Sequence, residues 1–240
     1  MKIAISGTYS TGKTTLTEAL AIATAVPRTQ ARTMRELLPE CVPGKTLEQC
    51  NVHELMNLGL SRLSERVVNE VNAGDQFFSD GSCLHEWVYG EARFRTGINP
   101  ADGKWLLALK RLAMSPVVNL HHGYMKAFGS VVKRHAKKTY THFVHLPVEF
   151  PLVADGHRPV SEEFRKMSSD LLLETLRELD IPYIEAGGNM KERIMKIVDY
   201  FDIPLRMDPD IAIERAVSKV KEQAIEIESH RQSVLATQQA

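Results

Sequence analysis

Cysteine is scarce in this 240-residue chain: Cys41, Cys50 and Cys83 are odd in number and form no C-x-x-C pair. A disulfide scaffold is therefore excluded, and the usage suits a reducing compartment where Cys is a small buried residue. Net charge is also missing, since 30 Lys+Arg balance 30 Asp+Glu. That balance argues against a protein living on nucleic acid or anionic lipid. No run of eighteen apolar residues is present, so no membrane-spanning helix is expected. The opening Met1–Ser6 is too short, and too soon interrupted by Gly7, for a secretory h-region. The expected setting is the cytoplasm. What the chain does have is 43% apolar residues, enough for a full core. At about 100–200 residues per domain, one elaborated domain fits better than two.

The apolar pattern alternates between strand and helix. Lys2–Ser6 reads as a buried strand, Gly7–Thr14 as a turn, and the spacing of Leu16, Ala19, Leu20 and Ala23 as a helix ending before Pro27. Ala25–Gln30 is a second short strand, and Ala31–Leu38 a helical piece stopped by Pro39. Thr46 with Gln49 reads as a capping box opening a long helix with the stripe Met56, Leu60, Leu63, Val67 and Val71, closed by Gly74. A strand at Gln76–Ser79 precedes helices over Cys83–Thr96, Ala101–Leu112 and Pro116–Lys138. Another strand follows at Thr141–Leu146. Glu149–Ser161, with two prolines and a glycine, reads as a loop or lid. A helix over Glu162–Leu179, a strand at Pro182–Glu185 and a helix capped by Asn189 complete an α/β pattern. Pro204 and Pro209 divide this body, residues 1–203, from a helical extension, 204–240.

One motif carries chemistry outright. Gly7-Thr8-Tyr9-Ser10-Thr11-Gly12-Lys13-Thr14 satisfies G-x-x-x-x-G-K-[ST], directly after a strand and opening a helix. The glycines let the backbone curl so that successive N–H groups point inward and make a nest for anions at a helix N-terminus. Lys13 reaches the β- and γ-phosphates, and the Thr14 hydroxyl is placed to ligate Mg²⁺. The nucleotide-binding stretch is therefore read as Gly7 through Thr15, with ATP and Mg²⁺ as the expected cofactors.

Asp80 closes the apolar run Phe77-Phe78-Ser79, at the edge where open parallel sheets bind ligands. A carboxylate there holds Mg²⁺ or takes a proton from an attacking hydroxyl; the plain alternative is a turn-initiating Asp before Gly81. Arg158 and Arg165 lie around the polar stretch Asp155-Gly156-His157-Arg158. Arginines delivered by a closing loop stabilise the charge of a transferred phosphoryl group; the alternative is a solvated helix face.

With these residues the chain resembles the P-loop small-molecule kinases typified by the ribosylnicotinamide kinase domain of bacterial bifunctional NAD-biosynthesis regulators, grouped with AAA-type ATPase-like domains. The resemblance runs over roughly residues 1–200. It rests on the P-loop, Gln30-Ala31-Arg32, Asp80, the 155–158 run with Arg165, and Tyr183-Ile184-Glu185-Ala186-Gly187 through Arg193. It implies an α/β fold of P-loop NTPase type: a parallel sheet flanked by helices, with a helical lid. It also implies ATP-dependent phosphorylation of a hydroxyl on a nucleoside-like or other small metabolite. Lys13, Asp80, Arg158 and Arg165 become the catalytic set, Thr14 and Asp80 the metal side, and Gln30, Arg32, Asp80 and Trp87 the acceptor side. Relatives tend to carry Glu where Gln30 stands, and many follow the strand-end acid with Arg, where Gly81 and Ser82 follow Asp80. Both departures face the acceptor, so an acceptor other than nicotinamide riboside is expected.

Other features carry less. The nine histidines show no H-E-x-x-H, and His142 and His145 fall on opposite faces of their strand, so no metal site is expected. His121-His122 before Gly123 reads as a helix break or exposed turn. The basic run Lys133–Lys138 suits a helix C-terminus and lacks aromatic interleaving, so no nucleic-acid partner is expected. His85, Glu86, Trp87, Tyr89 and Arg93 either frame the acceptor or pack as core. In the tail, Ile213, Val217, Val220, Ala224 and Ile227 form a helical stripe that docks on its own domain or pairs with a second copy as a homodimer. The rival to a kinase is a nucleotide-dependent regulatory ATPase that binds a protein partner; a GTPase is disfavoured because N-K-x-D is absent.

Overall fold

The computed structural model describes residues 1–96, 115–149 and 161–238. The strands are β1 (Lys2–Gly7), β2 (Arg28–Thr29), β3 (Phe77–Asp80), β4 (His142–Leu146) and β5 (Tyr183–Glu185). All four pairings are parallel, in the order β2-β3-β1-β4-β5. The helices are α1 (Lys13–Thr24), α2 (Met34–Cys41), α3 (Val52–Asn72), α4 (Cys83–Thr96), α5 (Ser115–Thr139), α6 (Glu162–Glu178), α7 (Met190–Tyr200) and α8 (Pro209–Gln238). This is the expected α/β fold of P-loop NTPase type. Among the described residues no helix is long and apolar enough to cross a membrane.

Both faces of the sheet are covered, which is why its strands read as apolar runs rather than as alternations. Ile3, Ile5, Phe78, Val144 and Leu146 point to one side, against Leu16, Ala19 and Leu20 of α1, Ile194 and Ile197 of α7, and Ala216 of α8. Ala4, Phe77 and Phe143 point to the other, against α4, α5 and α6. The register sets Ile5 beside Asp80 and Gly7 beside Leu146, so the turn after β1 lies between the ends of β3 and β4.

Several expectations need correction. Thr46 and Gln49 do form a capping box, but on a single 3-10 turn, Leu47–Gln49. The long helix starts at Val52, capped by Asn51 with Glu54. Its buried face is Leu58, Gly59, Leu63, Arg66 and Glu70, whereas Leu60 and Val71 are exposed. The apolar stripe caught only Leu63 of this face, because two of its members are charged residues met inside the protein by Glu86, Ser79 and Tyr140. Pro39 lies within α2, in its last turn, instead of stopping it. His121 and His122 sit inside α5 and do not break it. The region read as a helix over 101–112 lies outside the described residues.

The tail docks along α1. Ala212 and Ala216 are fully buried, Lys219 pairs with Glu18 at 2.7 Å, and the backbone N–H of Arg206 donates to the Ala23 carbonyl at 2.7 Å. Of the expected stripe, Ile213 packs against the core, while Val217 and Ile227 are exposed. The small alanines let the two helices approach, while Ile211 and Val217 beside them stay outside.

Candidate active site

The turn between β1 and α1 is shaped by two glycines that nothing else replaces. At Gly7 (φ +147°) an added Cβ would lie 2.8 Å from Thr11 Oγ1 and 2.9 Å from the Leu146 carbonyl oxygen. Gly12 caps α1 in the left-handed region (φ 84°), and Ser10 also adopts positive φ, at 60°. Among the described residues no side chain caps the α1 N-terminus and its first turn holds no acid, so the positive end of the helix is suited to an anion. The Lys13 Nζ donates to the Thr8 carbonyl at 2.6 Å, and Thr11 Oγ1 donates to the same oxygen at 3.0 Å. Lys13 is thus folded back onto the loop beside the helix end. Thr14 and Thr15 follow it, half-buried, and Tyr9 and Ser10 form the outer rim. The buried Thr8 hydroxyl has no hydrogen-bond partner among the described residues.

The loop is held by a helix on the same face of the sheet as α1. Arg193 of α7 is buried; its Nη1 donates to the Thr11 carbonyl at 2.7 Å, and its Nη2 meets Glu149 at 2.7 Å. Glu149 also accepts from the Gly188 backbone N–H at 2.9 Å. That N–H and the arginine hold its carboxyl below the usual carboxylate range. Glu149 had no signal in sequence, because its partners are 39 and 44 residues away.

Asp80 ends β3 one strand over. Gly81 turns the chain at φ +77°, with its N–H bonded to the Ile5 carbonyl at 3.0 Å. Beneath Asp80 lies a buried charged network. Arg66 donates to the Asp80 carbonyl and to Ser79 Oγ and pairs with Glu86 at 3.3 Å. Ser79 donates to Glu70 at 3.1 Å, and the Tyr140 hydroxyl donates to the same oxygen at 2.5 Å. A buried network of this density favours one geometry and braces the end of β3. His145 lies on the opposite flank: its Nε2 is 3.1 Å from Ser169 Oγ, and burial, with the nearby Lys13 charge, pushes it down to about 4.

Over the P-loop sits an aromatic stack that joins three distant segments. Tyr9 stacks on Tyr89 of α4 at 4.6 Å and on Phe164 of α6 at 5.9 Å, and the Tyr89 hydroxyl donates to the Gly7 carbonyl at 3.3 Å. Phe164 was missed in sequence; nothing local marks it as a partner of the loop.

The remaining site residues are placed as follows. Arg165 has a buried guanidinium paired with Glu162 at 2.9 Å, next to Phe164 in chain order. Trp87 lies in the core, with its ring against Gly129 and beneath Lys133, 4.8 Å away. It takes the core-packing side of the two readings given for it. Gln30 is exposed and accepts from Arg28 at 2.6 Å. Arg32 is exposed and pairs with Glu40 and Glu65. Arg158 lies outside the described residues.

A family model for the AAA domain matches residues 2–193. The chain belongs to the AAA domain family. Two solved structures share the fold of this AAA domain, both of deoxyadenosine kinase from M. mycoides. The form with bound dATP superposes with a TM-score of 0.56 at 14% identity, over 84% of this chain and 100% of that one. The form with bound dCTP gives 0.53 at 13%, over 84% and 99%. No curated protein sequence matches the chain.

Proposed function

We propose that this AAA domain is an ATP-dependent kinase that transfers the γ-phosphoryl group to a hydroxyl of a small metabolite. The observation that carries the reading is the uncapped α1 N-terminus with Lys13 folded onto it and Asp80 one strand away. The loop backbone and Lys13 hold the triphosphate. Thr14 and Asp80 offer the oxygen donors that would hold Mg²⁺, which would supply charge neutralisation during transfer. Asp80 accepts a hydrogen bond from the acceptor hydroxyl and takes its proton as the new P–O bond forms. The bond from the γ-phosphorus to the bridging oxygen breaks, and ADP leaves with that electron pair. Arg165, and Arg158 from the polar stretch before α6, neutralise the transferred group. Rigid support for Asp80 and Lys13 supplies positioning, which with charge stabilisation is most of what phosphoryl transfer asks of a protein. The deoxyadenosine kinases of like fold make a nucleoside-like acceptor a natural first trial. The setting proposed is the cytoplasm, with neither nucleic acid nor membrane as partner.

The test is Mg·ATP consumption with product mass across nucleosides, nicotinamide riboside and other small alcohols, with Lys13→Ala as the blank. An acceptor that gains one phosphate, only with Lys13 present, supports the kinase. Turnover indifferent to every acceptor favours a second reading, a regulatory ATPase. Val217, Ile225 and Ile227 of α8 are exposed and apolar, and they offer that reading a surface for a protein partner or a second copy.

A further inference from the structure

His85, Tyr89 and Arg93 are spaced four residues apart, so they share one face of α4 and span about 12 Å along its axis. The face begins three residues beyond the Gly81–Ser82 turn that follows Asp80, passes the P-loop at Tyr89, and ends where Arg93 lies 5.9 Å from the centre of the Phe164 ring. Two of its three members present buried donors with no partner among the described residues. The Ser82 backbone N–H donates to His85 Nδ1 at 3.0 Å, which leaves the ring proton on Nε2. Burial, then the Lys13 and Arg66 charges, keep this imidazole neutral. His85 is 3% exposed, and its Nε2 has no partner among the described residues. The same is true of Arg93 Nε. Native proteins rarely leave such groups unmet, so a run of them beside a phosphate cradle points to a ligand.

The charge of that ligand follows from the other arginines at this edge. Arg62 and Arg66 pair with Glu86, Arg165 with Glu162, Arg193 with Glu149, and Arg32 with Glu40 and Glu65. Arg93 alone of this group has no carboxylate within 4.0 Å among the described residues, only the face of Phe164. A guanidinium held over a ring keeps its N–H edge open to a planar or tetrahedral anion.

We infer that the phosphate acceptor is itself an anion, bound with its hydroxyl at Asp80 and its carboxylate or phosphate at Arg93. The inference rests on the kinase reading above. It makes Arg93 a specificity-determining residue that distinguishes an acidic metabolite from its neutral counterpart.

The experiment uses the full chain with acceptors in matched pairs: ribose with ribose 5-phosphate, glycerol with glycerate, and deoxyadenosine with its 3′-monophosphate. Phosphorylation is followed by product mass, and acceptor binding by calorimetry without ATP. The expected result is turnover of an anionic member with KM at least about tenfold below that of its neutral partner. Arg93→Gln should erase that preference, with the KM for ATP unchanged. Arg93→Lys should restore part of it, separating charge from packing on Phe164. The glycerate and phosphate arms tell carboxylate from phosphate. Neutral and anionic members used equally would leave the kinase standing and overturn the inference. A fall in kcat for both members in Arg93→Gln would place Arg93 on the transferred phosphoryl group and overturn it too. If no acceptor in either series gains a phosphate, the kinase reading and this inference fall together.

Discussion

Arg193 donates from α7 to the carbonyl of Thr11, joining two residues 182 positions apart at 2.7 Å. The conformation of the phosphate loop is therefore not a property of its eight residues alone. Its far wall is an arginine neutralised by Glu149, whose other contact is the turn at Gly188. Arg193→Met should leave Glu149 without its cation and the Thr11 carbonyl without a donor. The expected outcome is a weakening of ATP binding by about tenfold or more, together with a lower Tm, since leaving the Thr11 carbonyl without its buried donor costs roughly 1–3 kcal/mol. Calorimetric ATP titration beside a thermal melt checks both; unchanged nucleotide affinity would sever the loop from this clasp.

Asp80→Asn keeps the shape of the β3 end and removes a proton acceptor. It should lower kcat by about 10²–10⁴-fold, with ATP affinity held within a few-fold. A kcat equal to that of the parent returns Asp80 to the role of a turn residue before Gly81.

Gly7→Ala is expected to be costly for two separate reasons, the positive φ and the backbone oxygen of Leu146 at 2.9 Å from the new methyl. Strain of this kind costs roughly 1–3 kcal/mol before any clash is counted. Gly74→Ala is the control: it shares a positive φ (82°), but nothing lies within 4 Å of its Cβ position. The two melts, compared, separate the close contacts with Thr11 and Leu146 from the cost of a positive φ.

His145 gives the protein an acid limit. Its folded value, about 4, lies below its ordinary 6.5, so the folded state binds fewer protons than the unfolded chain between those values. Stability from this group is thus complete above pH 6.5 and is lost as pH falls toward 4, by about 3 kcal/mol in all. His145→Gln, which keeps a polar group near Ser169, should flatten that slope in urea melts taken from pH 7 to pH 4. An unaltered slope would remove His145 as its source.

What could be read in the sequence was what is local in the chain. The phosphate loop declares itself because its glycines, lysine and threonine act through their own backbone and the helix they open. Asn189 with Glu192 is a capping box by the same logic, and it is formed. Thr46 with Gln49 obeys the rule as well, yet caps a turn instead of the long helix, because a second box at Asn51 and Glu54 sits five residues on. The inward face of α3 was hidden by chemistry rather than by distance. Periodicity counts apolar residues, and Arg66 and Glu70 are buried only because Glu86, Ser79 and Tyr140 meet them from other segments. The stack of Tyr9, Tyr89 and Phe164 was illegible for the same reason, being a meeting of three elements none of which announces the others.

The order of the strands carries a consequence in time. β1 lies between β3 and β4, and the cluster that buries Leu16 and Leu20 includes Ala216 near the other end of the chain. A ribosome delivers the phosphate loop first, but its strand gains both neighbours only after residue 146 has emerged, its Arg193 brace later still, and its last cover with α8. Within this domain the phosphate loop, made before the strands and helices that flank it, reaches its braced form only as the fold is completed.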